Sequence, residues 1–424
     1  MATVYIRGGK PLAGSVKAPG SKAHTHRELI ASFLSDGTSR ITGSLFSDDT
    51  RATLDAIRAF GAEVEEEKDQ LCVRGDGTVK ASTAPIDCRE SGATLRFMVP
   101  TAALAPGDTR FLLGSSLRKR PLEPYLESLE LIGIKCELDG VWGLLVRGGG
   151  IKGGRVSIRG DISSQFISGI LFAAPKASGD TEVILSTPLE SRGYVDISID
   201  TLRKHRVRVE CENYSRFLVP SNQNYSPHDC EVPGDFSSAA FLLAAATVTG
   251  SKIRVLNLDL NSIQGDKVII DILEKMGAKV TRENNAVEIL GDGLNAIDID
   301  ATDIPDLVPV CTALASFAEG RTTIRNTKRL RYKESDRLES VRVELGKMGS
   351  QIKQEGDSLI ISGPCKLHGA TIDPRDDHRI AMACIVAALG TTDETTIANI
   401  ECIRKSYPGF IMDIRSLGAE VVEQ

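Results

Sequence analysis

The stretch LDAIRAFGAEVEE (54–66) sets out the plan of the chain: Leu54, Ile57 and Phe60 recur at helical spacing, Gly61 interrupts them, and alternation follows. That spacing makes one helix face apolar, and glycine suits the left-handed conformation that closes a helix. Period-two alternation, with Val64 and then Leu71 and Val73, predicts half-buried strands beyond the turn. The same design returns in YLESLELIGIKCEL (125–138), SIDTLRKHRVRVEC (198–211), IIDILEKMGAKVTR (269–282), VRVELGKMGSQIKQ (341–354) and IMDIRSLGAEVVEQ (411–424). The turn falls at Gly61, Gly133, Arg206, Gly277, Gly349 and Gly418, at gaps of 72, 73, 71, 72 and 69 residues. Because the third copy has arginine instead of glycine, its turn is expected to be made differently.

Units of about 70 residues are longer than the roughly 20–50-residue periods of common solenoids. A chain of 424 residues also exceeds what one core usually organises. Six α/β units grouped three and three therefore predict two similar domains. The turn-rich stretches APGSK (18–22) and SNQNYSPHDCEVPGD (221–235) are the expected crossings. They make residues 1–19 plus 230–424 a discontinuous terminal domain and residues 20–229 an inserted one.

Hydrophobic residues at 41% and charged residues at 25% describe an ordinary globular protein. The formal net charge of −6 argues against nucleic-acid binding, so any anion site must be a local cluster of Lys and Arg. Nine cysteines without a CxxC pair suggest neither a zinc site nor a complete disulfide framework, and read as reduced cytoplasmic thiols. Residues 1–20 hold no long apolar run, so no signal peptide, transit peptide or membrane span is expected.

Charged or hydroxyl residues gather before several apolar, small-residue helical patterns. APGSKAHTHRELIASFL (18–34) places Ser21, Lys22 and Arg27 at such a start, where free N–H groups attract anions. His24 and His26, two apart, are poorly spaced for a shared metal and read as packing residues. ESGATLRFM (90–98) offers Gly92 for close backbone approach beside Arg96, and LRKRPLEPYL (117–126) concentrates charge at Arg118, Lys119 and Arg120. DISSQFISGILFAAP (161–175) sets Ser163, Ser164 and Gln165 before a helix, and SRGYVDI (191–197) adds Ser191 and Tyr194. DIPDLVPVCTALASFAEG (303–320) brings Asp306, and KRLRYKESDRLESVRVEL (328–345) brings Lys333, Glu334, Asp336 and Arg337. DPRDDHRIAMACIVAAL (373–389) brings Asp377, His378 and Arg379, and IRKSYPGF (403–410) brings Lys405. Capping, packing or salt-bridged surface explains each cluster taken alone. Together they suit two multiply charged, phosphorylated anions.

The chain resembles the enolpyruvyl transferase family, most closely its members acting on shikimate 3-phosphate. The resemblance rests on PGSK with Arg27, SGATLR (91–96), RP (120–121), SSQF (163–166), GDFSSAA (234–240), IPD (304–306), KESDR (333–337), DHR (377–379) and KSYP (405–408), in family order. It implies an α/β fold of two similar domains, each of three βαβαββ units in an inside-out α/β barrel, meeting at a cleft. It further implies shikimate 3-phosphate on Lys22, Ala23, Arg27, Ser163, Ser164, Gln165, Ser191, Tyr194, Asp306 and Lys333. Phosphoenolpyruvate is implied on Lys22, Gly92, Arg120, Gln165, Arg337, Arg379 and Lys405. Asp306, Glu334 and Lys22 would be catalytic, with no metal or organic cofactor, in a cytoplasmic monomer of the chorismate and aromatic amino-acid pathway.

Three positions depart from the family pattern. Ala23 stands where serine often contributes, leaving only its backbone, while Glu90 and Arg329 stand where asparagine is common. A sister transferase acting on UDP-N-acetylglucosamine usually carries a reactive cysteine before the arginine, and GSSLRKRP (114–121) has none. A non-catalytic anion-binding scaffold is opposed by the retention of Asp306, Glu334 and the arginines.

Overall fold

A computed structural model describes residues 2–68, 70–140 and 143–424. The chain divides into two compact units, one built from Met1–Pro19 with Pro233–Gln424 and the other from Gly20–Val232. Among the described residues each is an α/β structure of three four-stranded sheets.

Within Gly20–Val232, the plainest unit runs strand Ile86–Asp87, helix Gly92–Ala102, strand Thr109–Leu112, helix Glu123–Glu130 and the hairpin Cys136–Asp139/Gly143–Val146. The first two strands pair in parallel and the remaining contacts are antiparallel, giving βαβαββ. Gly154–Val219 repeats that order around helices Ser164–Ala173 and Arg192–Lys204. In the remaining sheet the leading strand is Cys230–Glu231, which runs parallel to Asp36–Thr42. Residues 230–232 therefore lie in the inserted unit rather than the terminal one expected for them. The pairing of two main chains, which leaves no mark in composition, decides this.

The terminal unit closes its sheets in the same permuted way. Ala13–Lys17 leads one sheet by pairing in parallel with Lys252–Leu256. Val4–Arg7 forms an inner strand between Glu394–Ile397 and Glu420–Glu423, antiparallel to both. The third sheet, around Gly320–Arg325, is built from local strands alone.

In both units some helices are buried along their whole length, while strands keep a polar face outward. Helices Gly92–Ala102 and His378–Leu389 are buried at every position, whereas strand Gly154–Ile158 buries only Val156 and Ile158. One apolar core fills each unit.

The six turns share one backbone conformation. Gly61, Gly133, Gly277, Gly349 and Gly418 have φ between 89° and 115°, and Arg206 adopts φ 64°. The third turn is thus made like the others, contrary to expectation. Val207 N donates to the Leu202 carbonyl as Ala62 N does to Ile57, at 2.9 and 3.0 Å. The arginine bears a steric cost that glycine avoids.

Candidate active site

Four helix starts of the inserted unit carry the residues singled out in the sequence. Ser21 caps helix Lys22–Leu34, Ser91 caps Gly92–Ala102 and Ser163 caps Ser164–Ala173, each accepting from a backbone N–H of the first turn. Ser191, at the head of Arg192–Lys204, has left-handed φ 58° and makes no side-chain cap. Orphan N–H groups at such starts favour anions.

Side-chain bonds join these starts. Lys22 Nζ lies 2.8 Å from Asp49 Oδ2, and Thr94 Oγ1 donates to the Asp49 carbonyl at 3.2 Å. Arg96 Nη1 donates to Gln165 Oε1 at 2.7 Å while its guanidinium lies over the Phe166 ring. Gly92 contributes room rather than an unusual φ: a Cβ there would stand 3.0 Å from Arg120 Nη1 and 3.1 Å from Arg96 Nη1, so those side-chain ends would have to give way. Its absence lets two guanidiniums reach one helix start. Lys22, Gly92, Arg96, Arg120 and Gln165 thus fall in one neighbourhood, with Ser163 and Ser164 in the turn that presents Gln165.

Arg27 has a different setting. It is buried, donating through Nε to Ser198 Oγ at 2.7 Å, through Nη1 to the Ala23 carbonyl at 2.9 Å and through Nη2 to the Tyr194 carbonyl at 2.8 Å. Burial pushes its pKa down to about 9, which leaves it cationic at neutral pH. Nη2 also donates to Ser168 Oγ at 3.4 Å, so the guanidinium ties helices Lys22–Leu34, Ser164–Ala173 and Arg192–Lys204 together. His24 and His26 are buried and bonded to Ser21 and Thr53 hydroxyls. Burial, then Arg27, lowers His24 to about 4, and burial and Lys22 hold His26 well below its usual value.

The terminal unit gathers its charges around Arg337, whose side chain is 2% exposed. Its Nη1 donates to Asp306 Oδ1 at 2.7 Å, Nη2 to Glu334 Oε2 at 2.6 Å and Nε to Asp377 Oδ2 at 2.9 Å. Burial alone would lower the guanidinium pKa, but Asp377, Glu334 and Asp306 outweigh it and hold it well above the usual value. Asp306 also faces Arg379 Nη2 at 3.4 Å and Lys333 Nζ at 3.8 Å. Its burial would favour the neutral acid, yet Arg379, Lys333 and Arg337 prevail and keep it ionised. Lys333 is lowered to about 8, first by desolvation and then by Arg337 and Arg329 against the opposing pull of Asp306. Lys405 Nζ contacts the carbonyl and Oδ2 of Asp376, both at 2.7 Å.

Several partners in these networks lay outside the expected ligand set. Asp377 caps helix His378–Leu389 by accepting from Arg379 N and also receives the Ser335 hydroxyl at 3.1 Å. Asp49 anchors Lys22, and its only signal was position beside another aspartate. Asp266, 2% exposed, accepts from Ser237 Oγ, while the Ser237 carbonyl accepts from Arg379 Nη1 at 2.9 Å. Burial, then the charge of Asp306, raises Asp266 to about 7. Nothing in its surrounding sequence singled it out. Arg329 is buried and donates to the Thr302 carbonyl, bracing the turn Lys328–Tyr332 before Lys333.

Comparison with known proteins gives this geometry a chemical setting. Residues 6–414 match the family model described as EPSP synthase (3-phosphoshikimate 1-carboxyvinyltransferase). A 3-phosphoshikimate 1-carboxyvinyltransferase of Clostridium perfringens is 42% identical over 426 residues, covering 100% of both chains. One from Methanocaldococcus jannaschii is 43% identical over 99% of both chains. The solved EPSP synthase of Acinetobacter baumannii superposes with a TM-score of 0.84 at 28% identity, over 100% of both chains. The enolpyruvyl transferase NikO of Streptomyces tendae shares the fold, with a TM-score of 0.81 at 18% identity.

Proposed function

Because the chain belongs to the EPSP synthase, or 3-phosphoshikimate 1-carboxyvinyltransferase, family, we propose that it transfers the enolpyruvyl group of phosphoenolpyruvate to the 5-hydroxyl of shikimate 3-phosphate. The products are 5-enolpyruvylshikimate 3-phosphate and phosphate, on the route to chorismate and the aromatic amino acids. The observation that carries the assignment of roles is the network around Arg337, in which Asp306 and Glu334 share one buried guanidinium.

The reaction is an addition followed by an elimination. The hydroxyl oxygen bonds to C2 of phosphoenolpyruvate as a proton reaches C3; then the C2–O bond to phosphate breaks and a C3 proton leaves. Glu334 is the group assigned to deliver and recover the C3 proton, and Asp306 with Lys22 the groups that handle the hydroxyl proton.

Asp306, Glu334 and Asp377 face Lys333, Arg337 and Arg379, so the cluster's own charges balance one another. An anion drawn to the same cations shares their charge, and the carboxylates become more basic as their partners are diverted. That sequence makes Asp306 a weak base before binding and a stronger one after it. Arg337, Arg379, Lys405, Lys22, Gly92, Arg120 and Gln165 are assigned to phosphoenolpyruvate. Planar guanidiniums suit bidentate hold on carboxylate and phosphate, which lysine does not reproduce.

Shikimate 3-phosphate is assigned to Lys22, Ala23, Arg27, Ser163, Ser164, Gln165, Ser191, Tyr194, Asp306 and Lys333. Given how Arg27 is engaged, its contribution is argued to be mainly the placing of Ala23 and Tyr194. The same reading has the protein work as a cytoplasmic monomer; nine free thiols support that compartment. Among the described residues no helix is long and apolar enough to cross a membrane.

The test is phosphate release from phosphoenolpyruvate by purified protein, with and without shikimate 3-phosphate. Release that requires shikimate 3-phosphate is expected. Release supported by UDP-N-acetylglucosamine instead, or by neither acceptor, would overturn the assignment.

A further inference from the structure

Glu90 stands just before Ser91, the cap of helix Gly92–Ala102, and is half-buried. Its carboxylate reaches away from that helix into the loop 114–120. Oε2 accepts from Leu117 N at 2.9 Å, and Oε1 accepts from Ser116 N at 3.3 Å and Ser115 Oγ at 3.4 Å. The backbone beside it joins the same loop: the Arg89 carbonyl accepts from Gly114 N at 2.7 Å, and the Glu90 carbonyl accepts from Arg120 Nη2 at 3.4 Å. The two segments touch so closely that a Cβ on Gly114 would stand 2.3 Å from Glu90 Oε1 and 2.5 Å from the Arg89 carbonyl.

These contacts have one consequence for Arg120. The loop that carries it makes a single short turn, Leu117–Lys119, and no side chain of its own caps that turn. A carboxylate bonded to two consecutive amides there forms charge-assisted bonds, about twice as strong as neutral ones. An asparagine here would be neutral and one methylene shorter, so it could not reproduce the clamp.

We propose that Glu90 is a positioning residue, whose carboxylate fixes the 114–120 loop and thereby holds the Arg120 guanidinium beside the start of helix Gly92–Ala102. The proposal rests on the assignment of Arg120 to phosphoenolpyruvate. Glu90 itself touches no reacting atom in this account.

Two measurements test it on the full-length protein. Amide exchange without ligand reads the clamp directly: Ser116 and Leu117 should exchange at least ~10-fold faster in Glu90→Ala, with Glu90→Gln in between. Steady-state kinetics read the consequence: KM for phosphoenolpyruvate should rise ~10-fold in Glu90→Ala while KM for shikimate 3-phosphate stays within ~2-fold, and Glu90→Gln should recover part of the loss. Unchanged exchange at both amides overturns the clamp. Faster exchange with an unchanged KM for phosphoenolpyruvate overturns the positioning of Arg120. A general loss of folding in Glu90→Ala leaves Glu90→Gln to decide, since it keeps the shape and one acceptor. If wild-type protein shows no acceptor-dependent phosphate release, the functional assignment falls, and amide exchange still decides the clamp.

Discussion

Arg337 holds Asp306, Glu334 and Asp377 on three separate nitrogens, so the acids that would move protons are fixed by the group that would bind substrate charge. Replacing Glu334 by Gln keeps the shape and one acceptor for Arg337 but removes the proton carrier. Turnover should fall roughly 10²-fold or more while substrate binding persists, as read by single-turnover kinetics and calorimetry. Near-normal turnover would remove Glu334 from the mechanism. Asp266 yields a prediction of another kind, because burial raises it to about 7 from the usual carboxylate value of 3.8. Its folded pKa exceeds its unfolded one, so its stabilising contribution is full below about pH 4 and is lost as pH rises through about 7. Asp266→Asn should therefore melt higher than wild type at pH 8, with the gap closing toward pH 4. A gap that does not change with pH would mean that Asp266 does not titrate in this range.

At the scale of elements, the repeated helix–turn–strand unit depends on a left-handed residue after each helix. Five of the six turns use glycine, and Arg206 adopts φ 64° on an exposed loop. A non-glycine residue there costs about 1–2 kcal/mol in sterics, part of which glycine returns through greater freedom in the unfolded chain. Arg206→Gly should stabilise the protein by about 0.5–1 kcal/mol, seen as a higher urea midpoint with unchanged slope. An unchanged or lower midpoint would show that the arginine side chain contributes more than its backbone costs.

At the scale of the whole molecule, the chain leaves the terminal unit at Pro19 and re-enters it at Pro233, so the first residues complete sheets begun by the last ones. Val4 and Ile6 are fully buried in an inner strand between segments close to residue 400 and the C-terminus. Removing residues 1–8 takes away that strand and its bonds to both neighbours. The truncated chain should melt at a markedly lower temperature, and limited proteolysis should open first within residues 394–424. Wild-type melting and proteolytic resistance would show that the remaining strands pair without it.

The repeat, the helix and strand of each unit and the α/β class were legible before folding, because they follow from local periodicity and turn chemistry. So were the charged helix starts, since cap residues and small apolar helices lie next to one another in the chain. The conformation of Arg206 was not legible: the backbone bonds closing that turn impose it against the residue's own preference. Neither were Asp49, Asp266 and Asp377 as partners of Lys22, Ser237 and Arg337, which lie 27, 29 and 40 residues away in the chain. Those pairings, like the placing of residues 230–232 and the grip of Glu90 on the Arg120 loop, exist only once the chain is packed. Burial, which fixes which charges meet and which carboxylates stay ionised, is a property of the packed chain and of no segment within it.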